Sequence, residues 1–471
     1  MEALGDVLDV RVERMAPEGQ GLGRASPGES GRIVFVPYGA PGDLVKARLE
    51  SIEKGYAVGR IEEVLAAGPD RREPPCPLHF APGRRPLACG GCDWQHLSYA
   101  GQLKGKREIV LDCLRRIARL DGAVVEETLA SARELRYRNK VLIPFGRSEG
   151  RIVAGFYAPN THEIVDFQDC LVQTELSVRI ALKVKELCAE LPLEPYDARG
   201  HRGWLRHLLV RTNEEGRALV ALVSLDDSFP GQERLVSALR SAFPEIVAVL
   251  QNIQPHRTSV ALGKAWRPLW GPAELEERVG RLRLRASPEA FLQVNTPAAE
   301  ALYSQVEALL FADGWRPRLA VDLYCGAGAI ALWIGPRAER VLGIEENRRA
   351  VENARRNALL NGIANADFTA GRVETALGIL RRELDAAPAG CACAVVDPPR
   401  AGCSVTVLKS LRSQALRRLV YVSCDPATFA RDAARLAKSG WRLLRVRPVD
   451  MFPQTSHVES VGLFERVGLS T

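Results

Sequence analysis

A glycine-rich turn between a buried strand and a helix constrains this chain more than any other feature of its sequence. The segment RLAVDLY at 318–324 has the apolar run of a strand, CGAG follows at 325–328, and AIALWIG at 329–335 has the composition of a helix. The order repeats with RVLGIE at 340–345 and the helical pattern of 346–362. Such alternation predicts a parallel sheet with helices on both faces.

Three domains are predicted from the whole pattern. Residues 276–471 continue the strand and helix alternation through CACAVVD, RRLVYVSC and VESVGLFERV, which predicts a Rossmann-like α/β domain. Residues 1–66 contain short apolar runs separated by glycine, typical of a five-stranded OB-like barrel of the kind that binds nucleic acid. Residues 67–275 combine a Pro, Gly, Arg and Cys-rich loop with strands and one clear helix, which predicts an α+β central domain.

Composition narrows the class of protein. Hydrophobic residues make up 46% of the 471 residues, enough for several cores, and the net charge of +7 favours nucleic acid as a partner only weakly. No apolar stretch near the glycine turn is long enough to cross a membrane, and the first residues lack a basic region of the signal-peptide type. We therefore expect a cytoplasmic monomer without membrane contact.

Acidic residues follow the predicted strands where a ligand would bind. Glu345 ends the strand after the glycine turn, where a carboxylate can accept hydrogen bonds from ribose hydroxyls. Asp397, in Asp397-Pro398-Pro399-Arg400, lies at the exit of another strand, and open α/β sheets bind ligands at these carboxyl ends. The third glycine of a dinucleotide fingerprint is absent, so the turn suits an adenosine ligand without pyrophosphate, such as S-adenosylmethionine.

Cys424 is the candidate nucleophile. It ends the strand RRLVYVSC and precedes a predicted helix that begins near Pro426. A helix amino terminus favours negative charge, so we expect a lowered pKa for this thiol and a reactive thiolate.

Four further cysteines suggest a metal site. Cys76, Cys89 and Cys92 lie in the irregular loop and Cys170 lies beyond it, with Cys89-Gly-Gly-Cys92 forming a CxxC motif. Four thiolates can hold either zinc or an iron–sulfur cluster, and the spacing leaves both open. His79 is the nearest substitute for Cys76.

Five ordered motifs resemble one enzyme family. DLYCGAG, GIE, VVDPPRAG, YVSCDPATFARD and DMFPQTSHVES are similar to those of the S-adenosylmethionine-dependent RNA uracil-5 methyltransferases, and GQGLGR with VFVPYGAPGD resembles their amino-terminal TRAM domain. CGGCDWQHLSYAGQL, YRNKV and FLQVN extend the resemblance over nearly the whole chain. It implies an enzyme that methylates C5 of a uridine in RNA.

The resemblance also implies roles for individual residues. It places the nucleophile at Cys424, the base that removes the C5 proton at Glu459, and cofactor contacts at Gln293, Tyr324, Glu345 and Asp397. Ala329 stands where ribosomal members commonly have a polar Asn after the glycine turn. That cofactor contact is therefore not expected here.

Substrate and cluster are implied by the same resemblance. The TRAM domain and the four cysteines favour the branch that modifies 23S ribosomal RNA and binds a [4Fe–4S] cluster at Cys76, Cys89, Cys92 and Cys170. The T-loop uridine of transfer RNA is the alternative substrate. A non-catalytic iron–sulfur RNA-binding protein is a further alternative, which the pairing of Cys424 with Glu459 disfavours.

Basic residues near 104–140 are the candidate phosphate contacts. The set comprises Lys104, Lys106, Arg107, Arg115, Arg116, Arg136, Arg138 and Lys140. If these side chains lie on the surface, RNA affinity should fall as salt rises.

Overall fold

A computed structural model describes residues 3–25, 31–83, 88–120, 122–191, 193–227 and 231–468. Over these ranges no helix combines the length and the apolar character that a membrane span needs.

The amino-terminal strands form a closed barrel. Within the described residues its five strands are β1 (Val7–Met15), β2 (Gly21–Ala25), β3 (Ile33–Val36), β4 (Leu44–Ile52) and β5 (Tyr56–Ala66), in the order β1-β2-β3-β5-β4. Alternate side chains point inward, as in β1, where Val10 and Val12 are buried and their neighbours are exposed. The predicted barrel is confirmed.

A helical segment follows the cysteine-rich loop. It consists of α1 (Tyr99–Cys113), a π-helical turn (Leu114–Ala118) and the short strand β6 (Val124–Val125). Ser98 caps α1, since its side chain accepts a hydrogen bond from the Gly101 amide. β6 pairs with a strand of the carboxyl-terminal sheet, so part of the range 67–275 packs against the last domain.

The central domain is built on one mixed sheet. Its elements are β7 (Lys140–Ser148), β8 (Arg151–Tyr157), β9 (Ile164–Asp166), α2 (Glu175–Glu190), β10 (Leu205–Thr212), β11 (Ala218–Ser224), α3 (Gln232–Ala242), β12 (Ile246–Ile253) and β13 (Ala265–Trp270). The strand order over the described residues is β13-β12-β11-β10-β7-β8-β9, and α2 and α3 contribute buried apolar residues to one core with this sheet. An α+β arrangement was expected for this region.

A two-stranded sheet and a large sheet complete the chain. Their elements are β14 (Leu275–Val279), β15 (Leu282–Ala286), α4 (Thr296–Phe311), β16 (Leu319–Leu323), α5 (Ala329–Ile334), a 3-10 turn (Gly335–Arg337), β17 (Arg340–Glu345), α6 (Arg348–Leu360), β18 (Ala366–Ala370), α7 (Leu377–Asp385), β19 (Ala392–Val396), α8 (Val405–Ser410), β20 (Leu416–Ser423), α9 (Pro426–Ala437), β21 (Trp441–Val449) and β22 (Glu459–Arg466).

The large sheet confirms the predicted α/β domain. Its order in the described part of the chain is β18-β17-β16-β19-β20-β22-β21-β6, and the strands from β16 to β20 run parallel. β22 is antiparallel to both β20 and β21. The carboxyl ends of β16, β17, β19 and β20 therefore meet the amino end of β22 at one edge, which brings distant polar residues together.

Candidate active site

A pocket opens at the carboxyl ends of β16 and β19. Its lining consists of Phe291, Leu292, Gln293, Tyr303, Asp322, Tyr324, Cys325, Gly326, Ala327, Ala329, Ile330 and Asp397. Three of the four residues expected to contact the cofactor therefore line one pocket. Tyr324 adopts a left-handed φ of 65°, and its backbone amide donates to the Ile344 carbonyl at 2.9 Å. This conformation starts the turn that bends the chain away from the strand.

Glu345, the fourth expected cofactor contact, supports the pocket from the neighbouring strand. Its Oε2 accepts a hydrogen bond from the Gly326 amide at 3.1 Å, and its Oε1 accepts one from the Asn347 amide at 2.8 Å. Because a carboxylate has about four lone-pair sites, both oxygens keep capacity for further donors. The side chain therefore ties the glycine turn to β17 and can still accept from a ligand.

Gly328 is needed at the start of α5. Its φ is 85°, and a Cβ atom there would lie 3.0 Å from the Ala354 Cβ and 3.1 Å from the ring of Phe368. Both the backbone conformation and the close packing therefore require glycine.

Asp322 and Phe291 line the pocket but were absent from the predicted contacts. Asp322 Oδ2 accepts from the Ala331 amide at 2.9 Å, whereas Oδ1 has no hydrogen-bond partner among the described residues. Burial raises the pKa of Asp322 well above its ordinary value, with Asp397 adding to the effect. The sequence feature that could have indicated Asp322 is its position as the first residue of DLYCGAG. Phe291 is 66% exposed, and an exposed aromatic beside a pocket is such a signal too.

Cys424 and Glu459 are neighbours across the sheet. Ser423, the last residue of β20, pairs with Ser460 in antiparallel β22, so the next residue on one strand faces the preceding residue on the other. Glu459 is only 5% exposed, and Cys424 is partly exposed. Asp397 follows the adjacent strand β19 and lines the pocket, so the cysteine and the carboxylate lie next to the pocket.

The pKa values at this site correct one expectation. Burial raises the pKa of the Cys424 thiol to about 11, and the charges of Glu459 and Asp397 act in the same direction. The expected lowering by the start of α9 is wrong because desolvation and two carboxylates outweigh it. The N-cap of α9 is itself an acid, Asp425, which accepts from the Thr428 amide at 2.8 Å.

The two acids of the site also hold their protons tightly. Burial raises the pKa of Glu459 to about 8, with the Asp397 charge adding to it, and burial raises that of Asp397 to about 6. Arg400 is the opposing charge, since it lowers the pKa of both Cys424 and Glu459. A partly exposed thiol and two carboxyl groups thus lie beside one guanidinium.

The four predicted metal ligands come from two segments that approach one another. Burial raises the pKa of Cys89 to about 11, and the thiolate charges of Cys170 and Cys76 add to it. Burial also raises the pKa of the Cys92 thiol, and the thiolate charges of Cys170 and Cys89 add to the effect. In the part of the chain that the structure describes, no three His, Cys, Asp or Glu side chains are already arranged as a metal-binding group. Four thiolates would suit a soft metal by their chemistry, and the cluster stays a prediction.

The structure corrects the list of candidate phosphate contacts at one residue. Lys106 is fully buried and pairs with Asp450 at 2.5 Å, so it cannot contact RNA phosphate. Arg136 forms an ion pair with Asp169 at 2.7 Å, and the Lys140 side chain donates a hydrogen bond to the Pro288 carbonyl at 2.8 Å. Lys104 and Arg115 are exposed as expected.

Known proteins resemble this chain over its whole length. A family model described as tRNA (Uracil-5-)-methyltransferase matches residues 275–467, and a TRAM domain model matches residues 2–61. An uncharacterized RNA methyltransferase of Halalkalibacterium halodurans is 37% identical over 461 residues, covering 98% of this chain and 97% of that protein. Another, from Clostridium tetani, is 36% identical over 458 residues, covering 97% and 96%.

One solved structure has the same architecture throughout. The tRNA (uracil-54, C5)-methyltransferase of Pyrococcus abyssi, in complex with S-adenosyl-L-homocysteine, superposes with a TM-score of 0.73 at 25% identity and covers 97% of this chain and 99% of its own. The α/β sheet is thus that of a methyltransferase that uses S-adenosylmethionine. The chain belongs to the RNA uracil-5 methyltransferase family and carries an amino-terminal TRAM domain.

Proposed function

We propose that this protein methylates C5 of one uridine in 23S ribosomal RNA, with Cys424 as nucleophile and Glu459 as base. The observation that carries the proposal is the pairing of Ser423 with Ser460, which sets the thiol and the carboxyl side by side next to the cofactor pocket. Gln293, Tyr324, Glu345 and Asp397 are proposed to hold S-adenosylmethionine.

Covalent addition solves the problem that uracil C5 is a poor nucleophile. The Cys424 thiolate adds to C6, and the C5–C6 π pair moves into an enolate. C5 then attacks the methyl carbon of the sulfonium, the S–CH3 bond breaks, and S-adenosylhomocysteine leaves. The base must leave its stack for the thiol to reach C6, so the substrate is an unpaired or flipped uridine.

Glu459 completes the reaction by removing a proton. Its carboxylate takes the C5 hydrogen as a proton, the C5–C6 double bond re-forms, and the Cys424 sulfur leaves as thiolate. With a pKa raised to about 8, Glu459 is well matched to accept a proton near neutral pH. Bond formation at sulfur removes the thiolate charge, so the adduct favours an ionised Glu459.

Transfer RNA is the second candidate substrate. The Pyrococcus abyssi tRNA (uracil-54, C5)-methyltransferase matches 97% of this chain, including most of the range of the TRAM domain. The ribosomal proposal therefore rests on the four-cysteine set, because the match to the tRNA enzyme also spans most of the TRAM domain, which does not separate the two substrates. The protein is proposed to act as a monomer in the cytoplasm.

A [4Fe–4S] cluster is proposed at Cys76, Cys89, Cys92 and Cys170, where it would fix the loop between the barrel and the central sheet. When bound it supplies a structural crosslink, and no step of the proposed reaction requires electron transfer. Protein purified without oxygen should contain iron and acid-labile sulfide in equal amounts. Stoichiometric zinc in their place would contradict the assignment.

Adduct trapping and RNA mapping test the proposed function. Deleting the gene should remove 5-methyluridine at one position of 23S ribosomal RNA, and loss only from transfer RNA would favour the second candidate. With the mapped RNA and S-adenosylmethionine, Glu459→Gln should accumulate a protein–RNA adduct that survives denaturation. Cys424→Ala should form neither adduct nor product. Normal turnover by Glu459→Gln would show that another group is the base.

A further inference from the structure

The loop of residues 450–458 directly precedes the proposed base, Glu459. It joins β21 to β22, and Glu459 is the first residue of β22. Asp450, Met451 and Gln454 are fully buried, although the loop has no helix or strand of its own. Contacts from other parts of the chain must therefore fix its shape.

Residues 88–98, which we call the cysteine loop, supply two contacts to residues 450–458, which we call the base loop. Asp93 Oδ1 accepts a hydrogen bond from the Ser456 amide at 2.9 Å, and the Trp94 amide donates to the Gln454 carbonyl at 3.0 Å. Asp93 directly follows Cys92, and Ser456 lies three residues before Glu459. One hydrogen bond thus joins the cysteine loop to the base loop.

Gln454 is held in a conformation that its neighbours must maintain. Its φ is 70°, in the left-handed region that a residue with a side chain rarely adopts. Its side-chain oxygen accepts from Arg72 at 2.9 Å and from Gln102 at 3.1 Å, and its amide donates to Gln102 at 2.8 Å. Several hydrogen bonds hold this rare backbone conformation, which indicates that the loop needs a defined geometry for its function.

The barrel packs against the place where the cysteine loop contacts the base loop. Trp94 Nε1 donates to the Gly19 carbonyl at 2.8 Å, and a Cβ atom at Gly19 would lie 2.3 Å from the Ser456 Cβ and 2.6 Å from Asp93 Oδ2. Gly19 therefore permits a close approach of the barrel, the cysteine loop and the base loop. None of these residues lines the cofactor pocket.

We propose that Asp93 is a positioning residue for the base: it holds the loop of residues 450–458 so that Glu459 reaches the C5 proton of the covalent adduct. This inference rests on the proposed function of Glu459. Loss of the Asp93–Ser456 hydrogen bond lets the carboxylate move, and misplacement of about 1 Å can slow a step on the order of a hundredfold. Thiol addition and cofactor binding use other elements.

The test compares Asp93→Ala with Asp93→Asn, which keeps an oxygen that can accept from the Ser456 amide. The substrate is a transcript containing the mapped uridine, with hydrogen or deuterium at C5. Asp93→Ala should slow product formation about tenfold or more, accumulate adduct, and raise the primary isotope effect at C5 because proton removal becomes rate-limiting. Asp93→Asn should recover most of the rate, and the Kd for S-adenosylmethionine should stay within about twofold of wild type.

Controls separate positioning from folding and from metal binding. Asp70→Ala removes a carboxylate that accepts from Ser98 near the start of α1 and does not touch the base loop, so it should leave the isotope effect unchanged. Iron content is measured in every variant. If Asp93→Ala does not fold, Asp93→Ser, which is too short to reach Ser456, replaces it.

The possible results separate a failure of the positioning role of Asp93 from a failure of the proposed function. An unchanged isotope effect in Asp93→Ala or Asp93→Ser, with turnover either normal or slowed at every step alike, would overturn the positioning role. If the wild type forms no 5-methyluridine, or if Glu459→Gln traps no adduct, the proposed function fails instead. The two failures are thus distinguished by different variants.

Discussion

Replacing Glu459 by Gln should stabilise the protein, and the gain should grow as the pH rises. The pKa of this carboxyl is raised from 4.5 to about 8 by burial, so the folded state binds its proton more tightly than the unfolded chain does. Stability from this group is therefore complete below pH 4.5 and is lost as the pH rises through about 8. Gln stays neutral throughout and does not carry this loss.

The magnitude follows from the two pKa values. A pKa difference of one unit corresponds to 1.36 kcal/mol, so the difference between 4.5 and about 8 is worth on the order of 5 kcal/mol at high pH. Between pH 5 and pH 8 the wild type should lose about 3–4 kcal/mol relative to Glu459→Gln. For a unit of about 200 residues this corresponds to a Tm difference that widens by about 6–16 °C.

Differential scanning calorimetry at pH 5 and pH 8 measures the effect on the transition of the carboxyl-terminal domain. Glu465→Gln is the matched control, since it removes a carboxylate from the same strand that is paired with Arg418 at 3.2 Å. The control should lower Tm at both pH values. Equal Tm differences between Glu459→Gln and wild type at pH 5 and pH 8 would refute the description of Glu459 as a buried, proton-binding carboxyl.

Three further predictions concern the reaction and the core. The single-turnover rate of methyl transfer should rise with pH between 6 and 8, because the reaction needs ionised forms of groups whose pKa values are raised; a flat profile would contradict this. Gly328→Ala should weaken S-adenosylmethionine binding by about 1–3 kcal/mol, measured by titration calorimetry, because of strain at its φ of 85°. Lys106→Met should cost about 3–5 kcal/mol in urea unfolding by leaving buried Asp450 unpaired, whereas exposed Lys104→Met should change little.

The sequence predicted the parts of the structure that local patterns determine. The barrel, the parallel strands and the glycine turn all have periodic or turn-forming signatures, and the structure has them in place. The pairing of Cys424 with Glu459 came from family resemblance, because 35 residues separate them and no spacing rule joins β20 to β22.

Tertiary burial explains what could not be predicted. The pKa of Cys424 depends on desolvation and on Glu459 and Asp397, which only the folded sheet brings near it. Lys106 lies on a helix whose basic residues suggested a solvated face, but the base loop covers it. β6 spans only two residues, Val124 and Val125, and so has no periodicity to detect.

That short strand has a consequence for synthesis of the chain on the ribosome. β6 joins β21 with Val125 opposite Val446, and Glu126 contacts Arg445 across a separation of 319 residues. The apolar side of the preceding helix, which includes Val110 and Cys113, belongs to the same core and must wait for its partners. Synthesis at about 5–20 residues per second leaves this surface uncovered for roughly 15–60 seconds, a natural target for a chaperone that shields nascent chains.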